Sequence, residues 1–320
     1  MKKMSVLYLP IFVILTFILM TAVVLPKYVS VSLAGTNETT ESLSTNMNIP
    51  KLKIVVSFYP LLDFTKQIGG SRVEVSSLVP IGIEPHDFDP TIRQIQNAET
   101  ANLLIYNGAG FEKWIEKINM KSKIDASQNL TLLNSNDADK HNVYDPHVWL
   151  DPVLAKSQVL NIRNALMRVD PLNAEYYSEN ANKLIEKLDK LDDDIRSELL
   201  DCKQHDFISF HNAFSYFAKR YGLTQNNVYG LSPEGEILPQ RLQQIIQLAR
   251  DKGIHVIYSE DLIDPRFANV IAQEIPNGKV LVLSPIEGIT QQEQNKGIDY
   301  FDKMYENIKN LQIGLECPLK

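Results

Sequence analysis

Cysteine is almost absent from this chain: 320 residues hold two, Cys202 and Cys317. That count rules out a zinc site built from paired CxxC motifs. Neither cysteine stands near the N-terminus, which excludes a bacterial-type lipid anchor on a cysteine there. The H-E-x-x-H signature of metalloproteases is also missing, and no general base stands at a fixed offset from a histidine. Basic excess is missing too. With 32 Lys and Arg against 39 Asp and Glu, the net charge is -7, so no basic field attracts phosphate and nucleic acid is not an expected partner. Histidine is scarce, six in all, and never forms a tract. What remains is ordinary: 44% hydrophobic and 22% charged residues suit a globular protein long enough for two domains with their own cores.

One long apolar run exists. Lys2 and Lys3 precede it, it extends from Val6 to Leu25, and Lys27 follows. A positive end and an apolar centre are the marks of an export signal, and about 20 residues also suffice to span a bilayer. Residues 1–34 are therefore expected to be a cleaved signal peptide or a retained membrane anchor. Either way the remainder is placed outside the cytoplasm. Ser32-Leu33-Ala34 before Gly35 resembles a cleavage site. Residues 35–50, rich in Thr, Ser, Asn and Glu, read as a flexible spacer. Asn37-Glu38-Thr39 and Asn129-Leu130-Thr131 match the glycosylation pattern. In an exported protein Cys202 and Cys317 are either a disulfide or two free thiols.

From Lys51 onward strands and helices alternate, which predicts a parallel sheet covered by helices. Strands are expected at 53–57, 73–79, 103–106 and, more weakly, 130–133. Helices are expected at 60–68, 90–101, 110–118 and 152–169. From Asp170 to Leu200 the pattern changes. Tyr177, Ala181, Leu184, Leu188, Leu191, Ile195 and Leu199 recur every three or four residues, one apolar stripe on one helix. About 30 residues at 1.5 Å each would reach roughly 45 Å, enough to span two domains; a coiled-coil dimer helix is the alternative. Alternation then resumes, with strands at 207–210, 227–230, 255–258 and 279–283. Helices are expected at 211–221, 239–252, 264–275 and 291–312. The expected fold class is α/β: an N-terminal lobe at 51–169, a rigid linking helix at 170–201 and a C-terminal lobe at 202–320.

Ligands of open parallel sheets bind beyond the carboxyl ends of the strands. His86 lies in the loop after the second strand, His211 directly after Phe207-Ile208-Ser209-Phe210, and Glu287 four residues after Leu283. His147 sits in Asp145-Pro146-His147-Val148-Trp149-Leu150-Asp151-Pro152, a stiff segment feeding a helix. If the lobes face each other, all four side chains enter one cleft. Three imidazoles and a carboxylate suit Zn2+, while Mn2+ favours more oxygen. Asp87, Asp89 and Asp151 are close enough in sequence to orient a histidine, though helix capping is the expected role of Asp89 and Asp151. His141 is expected to be solvated, His205 exposed and His255 in the core.

These segments carry a resemblance. Gly82-Ile83-Glu84-Pro85-His86-Asp87-Phe88-Asp89-Pro90 resembles the first metal-ligand motif of the zinc/manganese solute-binding proteins of ABC transporters, the ZnuA/TroA-type family. The segment around His147 is similar to the second motif, Phe210-His211-Asn212-Ala213-Phe214 with Tyr221-Gly222-Leu223 to the third, and Leu283-Ser284-Pro285-Ile286-Glu287-Gly288 to the fourth. The match runs from about Lys51 to the C-terminus. It implies two lobes, a rigid linking helix, a metal site between the lobes, and delivery of the metal to a membrane permease. His86, His147 and His211 carry over as ligands. Some manganese-binding members have Asp where this chain has Ser284, which leaves Glu287 or water as the fourth ligand. Zinc members often carry a long His-rich loop before the second motif; here only His141 stands in that place.

The leading expectation is thus a monomeric extracytoplasmic protein that captures Zn2+, or Mn2+ or Fe2+, for an uptake permease, with small lobe motions. A zinc hydrolase using Glu84 as base is the rival of another class. A surface adhesion protein is the third reading, and it leaves the His/Glu set without a purpose.

Overall fold

The computed structural model describes residues 50–135, 144–233 and 239–318. The expected export segment at 1–34, the spacer up to residue 49, and His141 lie outside the described residues. Among those described, no helix is long and apolar enough to cross a membrane.

Two four-stranded parallel sheets organise residues 49–320, which form one compact unit. The first has β1 (Leu52–Val56), β2 (Val73–Ser77), β3 (Leu103–Tyr106) and β4 (Lys123–Asp125) in the order β2-β1-β3-β4. The second has β5 (Asp206–Ser209), β6 (Thr224–Asn227), β7 (Val256–Ser259) and β8 (Lys279–Val282) in the order β6-β5-β7-β8. The two lobes thus share one topology. Every pairing is parallel, so within each sheet all carboxyl ends open on one side.

The helices α1 (Tyr59–Gly69), α2 (Ile92–Glu99) and α3 (Pro152–Val169) belong to the first half, and α4 (Ala174–Glu198) follows. In the second half lie α5 (Ser215–Tyr221), α6 (Pro239–Lys252), α7 (Arg266–Gln273), α8 (Gln291–Lys296) and α9 (Tyr300–Gly314). The apolar stripe expected on α4 is buried from Tyr177 to Ile195, against α3 and α1 on one side and α9 on the other. A single buried cluster runs from Ile54 and Phe64 through Leu184 and Leu188 to Tyr258 and Leu311. The lobes therefore share a core, which a flexible hinge would have to tear. Cys202 and Cys317 are disulfide-bonded across a sequence separation of 115, tying the chain just past α4 to the end of α9.

Several expected elements sit elsewhere. The fourth strand is Lys123–Asp125, not 130–133; three half-buried edge residues give almost no periodic signal, and the Leu133 N–H donates to the Tyr216 hydroxyl at 2.9 Å. The helix expected at 110–118 is one tight turn, Ile115–Lys117. Ala109 and Gly110 there adopt positive φ of 53° and 81°, which no helix admits. α5 begins at Ser215 rather than His211; the N–H groups of His211 and Asn212 instead donate to Glu260 and to the Gly230 carbonyl. β6 is the polar run Thr224–Asn227, ahead of the expected 227–230. The long closing helix is broken: Gly297, with φ of 72°, ends α8, and Asp299 caps α9. Asp89 does not cap α2; Thr91 does, in a capping box with Gln94. His255 is half-buried against the Pro276 carbonyl rather than in the core.

Reducing the disulfide, or replacing Cys317 by Ser, is expected to lower unfolding free energy by roughly 2–5 kcal/mol. Guanidinium midpoints of the oxidised and reduced protein check this. Identical midpoints would show that the bridge adds nothing to the shared core.

Candidate metal centre

Three strand ends each hand one group to the same place. His86 comes from the loop after β2, His211 from the residues after β5, and Glu287 from the loop after β8. His147 precedes the turn that enters α3. Glu287 is aimed by an unusual backbone. Ile286 before it is fully buried with φ of 57°, a left-handed conformation that a β-branched residue adopts only under constraint. The Ser284 hydroxyl accepts the Ile286 N–H at 3.1 Å, closing that turn.

All four side chains are buried, and their ligand atoms lie within 4.8 Å of one another. His86 Nε2 is 3.2 Å from His147 Nε2 and 3.1 Å from Glu287 Oε1. His147 Nε2 is 3.1 Å from the same oxygen. His211 Nε2 is 3.4 Å from His147 Nε2 and 3.3 Å from Glu287 Oε1. Ligands about 2.05 Å from a tetrahedral zinc stand about 3.3 Å apart. The described separations have that size.

Two further carboxylates orient the rings. Asp145 Oδ1 accepts the His147 Nδ1–H at 2.7 Å and the His147 backbone N–H at 3.0 Å. Glu260 Oε1 does the same for His211, at 2.7 and 3.0 Å. With its Nδ1 proton committed to a carboxylate, a neutral imidazole turns its Nε2 lone pair inward. Three nitrogens and an oxygen of one polarity then face each other out of water, and Glu287 Oε2 has no protein partner. A cation relieves this.

In the metal-free cluster protons take that place. Burial alone would lower the His211 pKa, but the charges of Glu260 and Glu287 outweigh it and hold it well above 6.5. His147 is raised for the same reason, by Asp145 and Glu287 against burial. His86, with burial dominant, is lowered. Burial would raise Glu287, yet the neighbouring histidines hold it well below the usual carboxylate range.

None of the three aspartates close in sequence to the histidines orients a ring, and Asp151 has the capping role expected of it. Asp87 is exposed, Asp89 pairs with Lys117 at 2.6 Å, and Asp151 caps α3 while pairing with Arg220. Asp145 and Glu260 hold the rings instead. Asp145 stands two residues before His147, the offset at which one carboxylate oxygen reaches both the backbone and the ring; Glu260 is the first residue past buried β7, beside the strand that delivers His211. Those offsets were the available signal.

Glu84, the base of the hydrolase reading, accepts the His86 N–H at 3.1 Å. Its carboxyl is pushed up to about 9 by burial and by Glu287. It lines, with Glu260, Asp261 and Glu287, a hollow of only 10 Å³, room for about one water. A hollow of 730 Å³ along α6 contains none of the four residues. Beside His86 a hollow of 180 Å³ is lined by Asp87, Phe88, Trp114 and Lys117.

Two lobes of like topology with a buried three-histidine, one-carboxylate cluster between them define the class of two-lobed metal-binding α/β proteins. A family model described as zinc-uptake complex component A, periplasmic (ZnuA), matches residues 54–314, and the chain belongs to that family. The high-affinity zinc uptake system protein ZnuA of Bacillus subtilis is 35% identical over 281 residues, covering 83% of this chain and 88% of that protein. The zinc-binding protein AdcA of Streptococcus pyogenes is 35% identical over 295 residues, covering 84% of this chain but 57% of that longer protein. Among solved structures, the Zn(II)-bound ZnuA-like domain of Streptococcus pneumoniae AdcA superposes with a TM-score of 0.74 at 33% identity, covering 83% of this chain and 99% of that one.

A pH signature follows for the metal-free protein. The stability contributed by His211 is fully present below its ordinary pKa of 6.5 and is lost as pH rises through its raised value. Glu287 contributes above its ordinary 4.5, and loses that contribution as pH falls through its depressed value. Denaturant midpoints of the metal-free protein are therefore expected to fall from about pH 6.5 upward, and His211→Ala is expected to reduce that slope to the part that the raised His147 contributes. A flat profile in the native sequence would contradict the cluster electrostatics.

Proposed function

We propose that this chain is the extracytoplasmic metal-binding component of an ABC-type uptake system, capturing Zn2+ and delivering it to a membrane permease. The observation that carries this is the convergence of three imidazole Nε2 atoms and Glu287 Oε1 at tetrahedral spacing, with two rings locked by Asp145 and Glu260. His86, His147, His211 and Glu287 are the ligands in this reading, and the zinc is cargo. Nitrogen-rich, four-coordinate and closed geometry favours zinc over Mn2+, which takes more oxygen. Membership in the family of zinc-uptake components supports the same metal and a permease as partner.

The protein binds and does not turn over substrate. Membership in a family of zinc-uptake components supports capture rather than turnover. Residues 51–169 and 202–320 act as the two lobes and 170–201 as their strut, in a monomer. Residues 1–34 either leave after export or hold the chain at the membrane. The core shared through α4 supports small lobe motions rather than a wide hinge opening.

Competitive titration of chelator-stripped protein with zinc and manganese tests the reading. One zinc per chain, bound in preference to manganese and lost in His147→Ala, is expected. Asp145→Asn should keep the stoichiometry and weaken zinc binding about 10- to 100-fold. Manganese preference would reassign the metal, and absence of binding would remove the function. Solution scattering is expected to change little on loading; a large compaction would contradict the stiff strut.

A further inference from the structure

Helix α9 carries a polar line where an amphipathic helix packs apolar side chains. Tyr300, Lys303, Asn307 and Asn310 follow one another at spacings of three or four, so they share one face. Tyr300, Lys303 and Asn307 are 0%, 1% and 2% exposed. Each member of the line ends on a segment that delivers part of the metal cluster. The Tyr300 hydroxyl donates to the carbonyl of Trp149, two residues past His147, at 2.6 Å. Lys303 Nζ donates to Asp261 Oδ1 at 2.8 Å, the neighbour of Glu260, and to Glu293 Oε1 at 2.6 Å. Glu293 closes the capping box on Thr290, three residues past Glu287. Asn307 accepts the Ser284 N–H at 2.7 Å and donates to the Ser284 carbonyl at 2.7 Å. Asn310 donates to the Val282 carbonyl at 2.7 Å.

The loop bearing Glu287 is thus gripped at both ends from one helix. Asn307 holds its start at Ser284, and Lys303 holds its finish through Glu293. The second bond of Lys303 reaches the segment whose Glu260 orients His211. Stability alone is a poor reason for such a lysine, since an apolar residue of similar volume serves a core as well or better than a buried ion triad. An apolar residue would not, however, join the Asp261 and Glu293 segments.

We propose that Lys303 and Asn307 are positioning residues of the metal centre, setting the places of Glu287 and Glu260 relative to the histidines. Neither touches a ligand atom; both act through the loops. The inference rests on the ligand set proposed above and adds two residues to the machinery that tunes it.

Lys303→Met, Asp261→Asn and Asn307→Leu test it, with His211→Ala as the control for the ligand set. Zinc affinity, the rate of zinc release to a chelator, and the visible absorption of the Co2+-loaded protein are measured alongside thermal stability. The expected result is one metal per chain in all three variants, zinc affinity lowered about tenfold in Lys303→Met, faster release, and a changed cobalt spectrum. Asp261→Asn removes one partner at a less buried position and is expected to shift the same readouts in the same direction; it decides the matter if Lys303→Met does not fold. Lower thermal stability with native affinity, release rate and spectrum would overturn the positioning role. Native zinc affinity in His211→Ala, or no zinc bound by the native chain, would instead bring down the ligand set itself.

Discussion

Four atoms that need a metal ion or protons among them lie at the centre of this molecule. Three Nε2 atoms, of His86, His147 and His211, and one oxygen of Glu287 converge there with five contacts of 3.1–3.4 Å, all four side chains buried. Bringing lone pairs together in low dielectric is costly unless a metal or protons sit among them. The fold is arranged to hold this contact. Parallel sheets deliver loops from their carboxyl ends, and α4 and the core it shares with both lobes fix the lobes against each other. Asp145 and Glu260 prevent the rings from turning away.

The same constraint accounts for a group of buried polar side chains around the site. Asp145, Glu260, Ser284, Lys303 and Asn307 are all buried and lie within the segments that carry the ligands or directly behind them. The Ile286 backbone, held in a left-handed conformation, belongs to the same group. A core built only for stability would use apolar side chains in most of these positions. Their presence marks where geometry mattered more than free energy of folding. The sub-ångström placement that a tetrahedral centre needs comes from such outer partners rather than from the ligands alone.

Much of this was legible in the sequence. α3 and α6 were found residue for residue and α4 within a turn at each end of the expected 170–201, because burial of one face leaves a period in the sequence. The four candidate ligands were legible because each follows a strand or an Asp-Pro step, where side chains project from a rigid base. Edge strands were harder. β4 and β6 are short and half-buried, and the residues Thr-Gln-Asn-Asn of β6 carry no hydrophobic signal. The break at Gly297 was hidden by a run that otherwise reads as helix on both sides. Asp145 and Glu260 escaped because a carboxylate that orients a ring is recognised by its reach across space, and Glu260 lies 49 positions from its histidine. Asp145 was read only as part of the stiff segment that feeds α3, the helix that Asp151 caps as expected.

X-ray absorption at the zinc edge of the loaded protein addresses the central claim most directly, since it counts and identifies the atoms around the metal. The account predicts four light ligands near 2.0–2.1 Å, with the multiple scattering of three imidazoles, and the loss of one imidazole in His211→Ala. A shell of six oxygens, or one unchanged by that substitution, would contradict it.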